Sequence, residues 1–383
     1  MRAFVHSALP SRVVFGAGAL DQLGDETDRL GVRRVLVLST PRQRPLAEEV
    51  ARRLGARAAG IFDQAVMHVP VETAAAARAV ARAVGADACV AIGGGSTIGL
   101  GKAIAIGGEA LARAESPAPT PAPTSTPTPL PILAIPTTFS GSEMTPIFGV
   151  TADGQKKTGR DPRVLPRTVI YDPRLLMALP AKVAGPSGMN AIAHCVEALY
   201  AEDANPITSL MAEEGIRALA ASLPAVVGDP SDLDARGEAL YGAWLAGSCL
   251  GAVGMALHHK LCHTLGGSFN LPHAETHTIV LPHAVAYNRA AAPAAMARVA
   301  RALAGQVDGE GRDPAQQLYD LAQTLGAPLA LREIGMPEGA LDEAARLAMR
   351  NPYYNPRPLE PAAIRQLLQE AWEGRRPKTE TTG

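Results

Sequence analysis

The chain runs to 383 residues, too long for one ordinary hydrophobic core, so two domains are expected. Apolar residues make up 47% of it, enough for both cores. Its 36 Lys and Arg stand against 37 Asp and Glu, a balance that gives no reason to expect a nucleic acid or an anionic membrane as partner.

The longest apolar stretches are broken by Gly, Pro or charge short of a membrane span, and no export peptide is read in residues 1–15. The four cysteines, Cys89, Cys195, Cys249 and Cys262, include no CxxC pair. Reduced thiols in a cytoplasmic protein are therefore expected.

In chain order, residues 34–39 (RVLVLS) read as a buried strand and 42–54 as the helix after it. A second strand is expected at 58–62 and a second helix at 71–84. ACVAI at 88–92 is again a buried strand, running into Gly93-Gly94-Gly95-Ser96 and then a helix-compatible run at 97–106. Residues 132–135 and 168–171 add two more strands. Continuous apolar strands alternating with helices imply a mostly parallel sheet covered on both faces. The stretch 115–131 (ESPAPTPAPTSTPTPLP) is Pro/Thr/Ala low complexity, expected as a solvated surface insertion because its prolines suit neither a helix interior nor a central strand.

From about residue 179 the pattern changes. Segments 191–200, 209–222, 235–246 and 314–325 carry helical spacing and almost no strand signal. A boundary near 178 is expected, with an α/β domain before it and an all-helical domain after it. Residues 374–383 are expected to fray.

Glycines between a strand and a helix let backbone N–H groups approach an anion, and the helix N-terminus favours negative charge. Gly94, Gly95 and Ser96 are therefore candidate pyrophosphate contacts. One strand later comes a hydroxyl-rich loop, PTTFSGSE at 136–143, which adds Thr137, Thr138 and Ser142. Two such loops at strand ends reinforce each other, since ligands of open parallel sheets bind beyond the carboxyl ends of the strands. The strand at 34–39 ends in Ser39-Thr40, where strict NAD use would favour an acid, so NADPH is expected to be accepted beside NADH, with Arg42 nearby.

Seven of the nine histidines fall between 194 and 283. Asn190 and His194 share a helical face at i, i+4, and His259 and His263 repeat that spacing. His273 follows ten residues later, with His277 and His283 beyond it. One histidine is most often a satisfied core residue; seven so concentrated point to a site.

Taken in order, GGGS, PTT…GSE, the helix with position 190 and His194, His-x3-His and PH resemble the iron-type alcohol dehydrogenases over most of the chain. The resemblance implies an N-terminal dinucleotide-binding α/β domain (1–178) plus an all-helical catalytic domain (179–383), the dehydroquinate synthase-like architecture. It places the family's metal positions at Asn190, His194, His259 and His273, with His263 beside the substrate. Three departures stand out: Asn190 where the family has its anionic ligand, Gly99 where GGGSxxD has an acid, and a hydroxyl loop one residue short. A neutral amide is a poor replacement for a carboxylate, so no tightly held divalent metal is expected.

The same departures resemble the maleylacetate reductases within that superfamily, which are similar in the segments 93–103, 137–151, 156–173, 188–198, 258–277 and 351–358. The resemblance implies reduction of the C=C bond of a small enone dicarboxylate with NADH or NADPH, in a homodimer. His263 is expected to polarise the ketone or supply a proton, with Asn190, His194, His259, His273 and Tyr353 as further hydrogen-bonding groups. Lys260 and the basic run Lys156, Lys157, Arg160, Arg163 and Arg167 are candidate partners for substrate carboxylates or cofactor phosphates; Lys157 is assigned to the cofactor. The rival reading is a metal-dependent alcohol dehydrogenase; a dehydroquinate-synthase-like lyase and a non-catalytic nucleotide binder are more distant.

Overall fold

The computed structural model describes residues 4–6, 8–9, 11–107, 129–152, 155–304, 313–350 and 353–378, with backbone only at 155 and 156. Most of the Pro/Thr-rich stretch, the side chain of Lys156, Asn351, Pro352 and the tail from 379 lie outside the described residues. The chain divides into two compact units, Leu9–Leu176 and Met177–Gly383, the latter joined by Met1–Ala8.

Among the described residues the first unit has eight strands: β1 (Arg12–Phe15), β2 (Val35–Leu38), β3 (Ala58–Phe62), β4 (Ala88–Gly93), β5 (Ile132–Pro136), β6 (Ile147–Ala152), β7 (Gln155–Arg160) and β8 (Thr168–Tyr171). Six form one sheet of order β1-β8-β5-β4-β2-β3, in which every pair is parallel. β2, β4, β5 and β8 are buried along their whole length, which is why their sequences are continuous apolar runs.

Among the described residues the α-helices of this unit are α1 (Leu23–Leu30), α2 (Arg44–Leu54), α3 (Val71–Ala83) and α4 (Gly95–Ile106). α2 buries Ala47, Val50 and Leu54 on one stripe and exposes its arginines, so one face meets the sheet. α4 is apolar nearly all round because it packs between the sheet and β6. One feature lies beyond the sequence-based expectations: β1 is an edge strand whose single buried residue, Val14, gives little periodicity to read. β6 with β7 makes an antiparallel hairpin that carries Lys156, Lys157 and Arg160 of the basic run, with Arg163 and Arg167 following it.

The second unit is helical: α5 (Ala181–Tyr200), α6 (Pro206–Gly228), α7 (Leu233–Ala252), α8 (Leu257–Phe269), α9 (His273–Asn288), α10 (Pro293–Leu303), α11 (Pro314–Thr324), α12 (Leu341–Ala348) and α13 (Pro361–Glu373). α5 is buried from Ala184 to Tyr200 and touches α6, α7 and α9, which makes it the central helix. Asn205 caps α6 with a reciprocal box, accepting from the N–H groups of Ile207 and Thr208 while Thr208 Oγ1 accepts from the Asn205 N–H. Among the described residues no single helix is long and apolar enough to cross a membrane.

α6 and α7 approach closely at Gly215 and Gly242. A Cβ on Gly242 would lie 2.7 Å from Leu219 Cγ, 3.1 Å from Leu219 N and 3.2 Å from Gly215 O. Ala is favoured over Gly in a helix by about 1 kcal/mol. Overpacking costs about 1–3 kcal/mol, and here two of the three obstacles are backbone. Gly242→Ala is therefore expected to lower unfolding free energy by about 1–2 kcal/mol in a urea melt; a stabilised variant would show that the helices separate freely.

Candidate active site

β4 ends at Gly93, whose φ of +155° and crowded surroundings suit only glycine: a Cβ would come 2.4 Å from Thr97 Oγ1 and 3.0 Å from Gln43 Oε1. A Cβ on Gly94 would meet Thr138 Oγ1 at 3.0 Å, and one on Gly95 would touch Ser140 at 3.5 Å. The glycine turn and the hydroxyl loop after β5 thus face each other, tied by the Thr137 N–H donating to Gly93 O at 3.1 Å. Gln43 Nε2 donates to Thr137 Oγ1 at 2.7 Å and brings in the segment after β2. Ser39, at the end of β2, and Thr97, in the first turn of α4, bury hydroxyl oxygens without hydrogen-bond partners. These candidates therefore converge on one edge of the sheet, with Ser96 half-buried in the first turn of α4. Arg42 is exposed, and Lys157 lies on β7 opposite Val150.

Lys102 holds this edge together, although no sequence signal marked it. The side chain is fully buried, and its Nζ donates to Ser142 O (2.6 Å), Thr145 Oγ1 (2.9 Å) and Ile147 O (2.8 Å), with Ser142 Oγ at 3.3 Å. Burial pulls its pKa down to about 7 while the nearby Glu143 carboxylate pulls it back up. Glu143 is itself fully buried, which raises its pKa, and accepts from Tyr171 OH at 2.8 Å. Lys102 therefore links α4 to the loop that follows the PTT motif.

The Gly99 departure has a local cause. A Cβ there would lie 3.1 Å from Val69 Cγ2, so the missing side chain is the space Val69 occupies. Val69 and His68 are left-handed, at φ +48° and +65°, a costly conformation for a β-branched residue. Thr151 holds them, its N–H donating to Val69 O (3.0 Å) and its Oγ1 to His68 O (2.9 Å).

In the helical unit α5 carries Asn190, His194 and Glu197, α8 carries His258, His259, Cys262 and His263, and α9 carries His273 and His277. Asn270, left-handed at φ +53°, ends α8, and Pro272 caps α9 so that His273 opens it. Ring centroids lie 5.1 Å apart for His194 and His259, 6.1 Å for His259 and His263, and 6.4 Å for His263 and His273. His277, not among the expected site residues, lies 4.3 Å from His273 and 5.0 Å from His259. Exposure is graded: His263 is exposed, His273 half-buried, and His194 and His259 buried, with His258 and His277 sealed behind them. His283 makes no ring contact with the others; burial pulls its pKa down to about 4.

Burial also holds His194, His258 and His277 well below the ordinary histidine pKa, so all three are neutral near pH 7. Glu197 organises the group and was missed by sequence reasoning. Its fully buried carboxylate accepts from the N–H groups of Ala256 (2.8 Å), His258 (2.8 Å) and His259 (3.4 Å), capping α8. It also accepts from His259 Nδ1 at 2.7 Å. That bond fixes the tautomer and leaves His259 Nε2 as a lone pair, buried and without a partner. The α5 spacing of Glu197 one turn after His194 was the available signal.

Tyr353 has a buried hydroxyl without a partner, and burial raises its pKa. Lys260 Nζ sits 5.5 Å from the Tyr353 ring centroid, so the two share one side of α8. The following loop is tied to α9 by paired amides of Asn288 and Asn355, at 3.0 and 2.7 Å. Arg163, by contrast, is engaged by Asp161 in a bidentate pair.

At the family's metal positions, Asn190 Oδ1, His194 Nδ1 and His259 Nε2 are buried and lack partners, as pocket-lining atoms would. The set nevertheless lacks an anion. Among the described residues, the group of His, Cys or acidic side chains whose ligand atoms lie within 4.8 Å of one another is His258, Cys262 and His277 instead. The four positions therefore do not fit a closed divalent site, and no chemical step is assigned to a metal there.

The iron-containing alcohol dehydrogenase family matches residues 10–173, and the C-terminal part of the Fe-containing alcohol dehydrogenase family matches 185–372. The maleylacetate reductase of Burkholderia cepacia is 56% identical over 98% of this chain and 100% of that protein. That of Sphingobium indicum is 54% identical over 98% of this chain and 99% of that protein. The crystal structure of maleylacetate reductase from Agrobacterium tumefaciens superposes with a TM-score of 0.87 at 50% identity, covering 98% of this chain and 100% of that one. With both units matched end to end, the chain is an oxidoreductase that belongs to the iron-containing alcohol dehydrogenase family and, within it, to the maleylacetate reductases.

Proposed function

We propose that this enzyme reduces the C=C bond of maleylacetate to 3-oxoadipate, using a nicotinamide cofactor bound at the glycine turn and hydroxyl loop of the first unit. The cofactor supplies a hydride to the carbon β to the ketone. Negative charge then develops on the ketone oxygen, and a proton must reach the α carbon. His263 is read as the group that stabilises that oxygen or delivers the proton, a reading supported by its being the most exposed ring of the cluster. Asn190, His194, His259, His273 and Tyr353 are read as further hydrogen-bonding groups for the substrate, and Lys260 beside Tyr353 offers a cation to a substrate carboxylate.

The observation that carries this reading is Asn190, a neutral amide whose oxygen is buried and unpartnered where the alcohol dehydrogenases hold their anionic ligand. Conjugate reduction needs hydrogen-bond donors around an enolate more than a Lewis acid on the carbonyl. Ser39 at the end of β2 brings no carboxylate against a 2′-phosphate, so both NADH and NADPH are expected to serve. We read the enzyme as a cytoplasmic homodimer on family resemblance.

Consumption of NADH and NADPH with freshly generated maleylacetate, before and after chelator treatment, tests the proposal. Chelator-resistant oxidation yielding 3-oxoadipate is expected. Failure to turn over maleylacetate, with metal-dependent oxidation of simple alcohols instead, would overturn it.

A further inference from the structure

We propose that His258, Cys262 and His277 form a buried site for a borderline or soft divalent ion such as Zn2+, separate from the four positions used elsewhere in the family. His258 and Cys262 are one turn apart on α8, and His277 reaches them from α9. His258 Nε2 lies 3.0 Å from His277 Nδ1 and 3.7 Å from Cys262 Sγ. A tetrahedral ion with N ligands at about 2.0–2.1 Å and S at about 2.3 Å sets N···N near ~3.3 Å and N···S near ~3.6 Å. These two spacings need shifts of only a few tenths of an ångström, and all three ligand atoms lie within 4.8 Å of one another.

The ligand chemistry agrees with the geometry. Two neutral imidazoles and a thiol are a soft, nitrogen–sulfur set, whereas the family positions hold no sulfur. Binding moves the proton of the His258–His277 hydrogen bond to an outer ring nitrogen and releases the thiol proton of Cys262 to solvent. Glu197 is close enough for its charge to bear on Cys262, so a divalent ion, a thiolate and that carboxylate sum to zero in a buried region. His277 contacts the half-buried His273, which in turn stacks with the exposed His263, an ordered series of imidazoles from surface to site. An ion there would staple α8 to α9, the helices that carry His259, His263 and His273.

The inference does not depend on which substrate is reduced. Full-length, chelator-stripped protein titrated with Co2+ is expected to take up one equivalent and to develop a thiolate-to-cobalt charge-transfer band in the near ultraviolet. Cys262→Ser is expected to lose the band, and Asn190→Ala to keep it. X-ray absorption on the Co2+-loaded native chain is expected to show one sulfur scatterer, a readout that needs no variant to fold. No uptake, Co2+ bound without a sulfur neighbour, or a band that survives Cys262→Ser would each overturn the proposal.

Discussion

Replacing Glu197 by Gln is expected to lower unfolding free energy by about 2–4 kcal/mol and kcat/KM by about 10–100-fold. The carboxylate is fully buried and accepts from three backbone N–H groups at the start of α8 and from His259 Nδ1. Each hydrogen bond to a charged group contributes about 1.5–3 kcal/mol, and an amide of the same size turns an –NH2 toward donors that need an acceptor. The kinetic loss has a different origin. Without the carboxylate's charge, the proton is held less firmly on His259 Nδ1, and the lone pair at Nε2 is less well fixed. Urea melts and steady-state kinetics on one preparation separate the two effects. A variant with native stability and native kcat/KM would remove Glu197 from both roles.

His263→Ala is expected to cut kcat by about 10²–10⁴-fold, the range of a lost general acid or base, while KM for NADH stays the same. The ring is exposed, so its removal should cost little stability, within about 0.5 kcal/mol. A kinetic loss therefore reports on chemistry rather than folding. If kcat fell by less than about tenfold, the proton or oxyanion role would pass to another group, with Tyr353 and His273 next in position.

The parallel sheet was legible because its inner strands, β2, β4, β5 and β8, are buried along their length, and full burial writes itself as a continuous apolar run. Thr168–Tyr171 and Ala58–Phe62 are found at the expected residues. β1 was not legible, since its four residues, with Arg12 and Phe15 exposed, make neither a continuous apolar run nor a readable period. The histidine spacing announced a site, because i, i+4 pairs on a helix share a face whatever surrounds them. It did not reveal that His277 belongs to the ring network while His283 does not, a distinction set by where α9 packs.

What the sequence determined by itself is local: strand–helix alternation, a glycine turn between a strand and a helix, histidines repeated at helical spacing, and segments similar to one family over most of the chain. What only the tertiary structure decided is which buried charge meets which partner. Glu197 caps a helix 59–62 residues away, Lys102 clamps a loop 40–45 residues away, and Val69 fills the space at Gly99. A buried charge must find hydrogen-bonding partners wherever the fold brings them, and sequence spacing carries no record of that meeting.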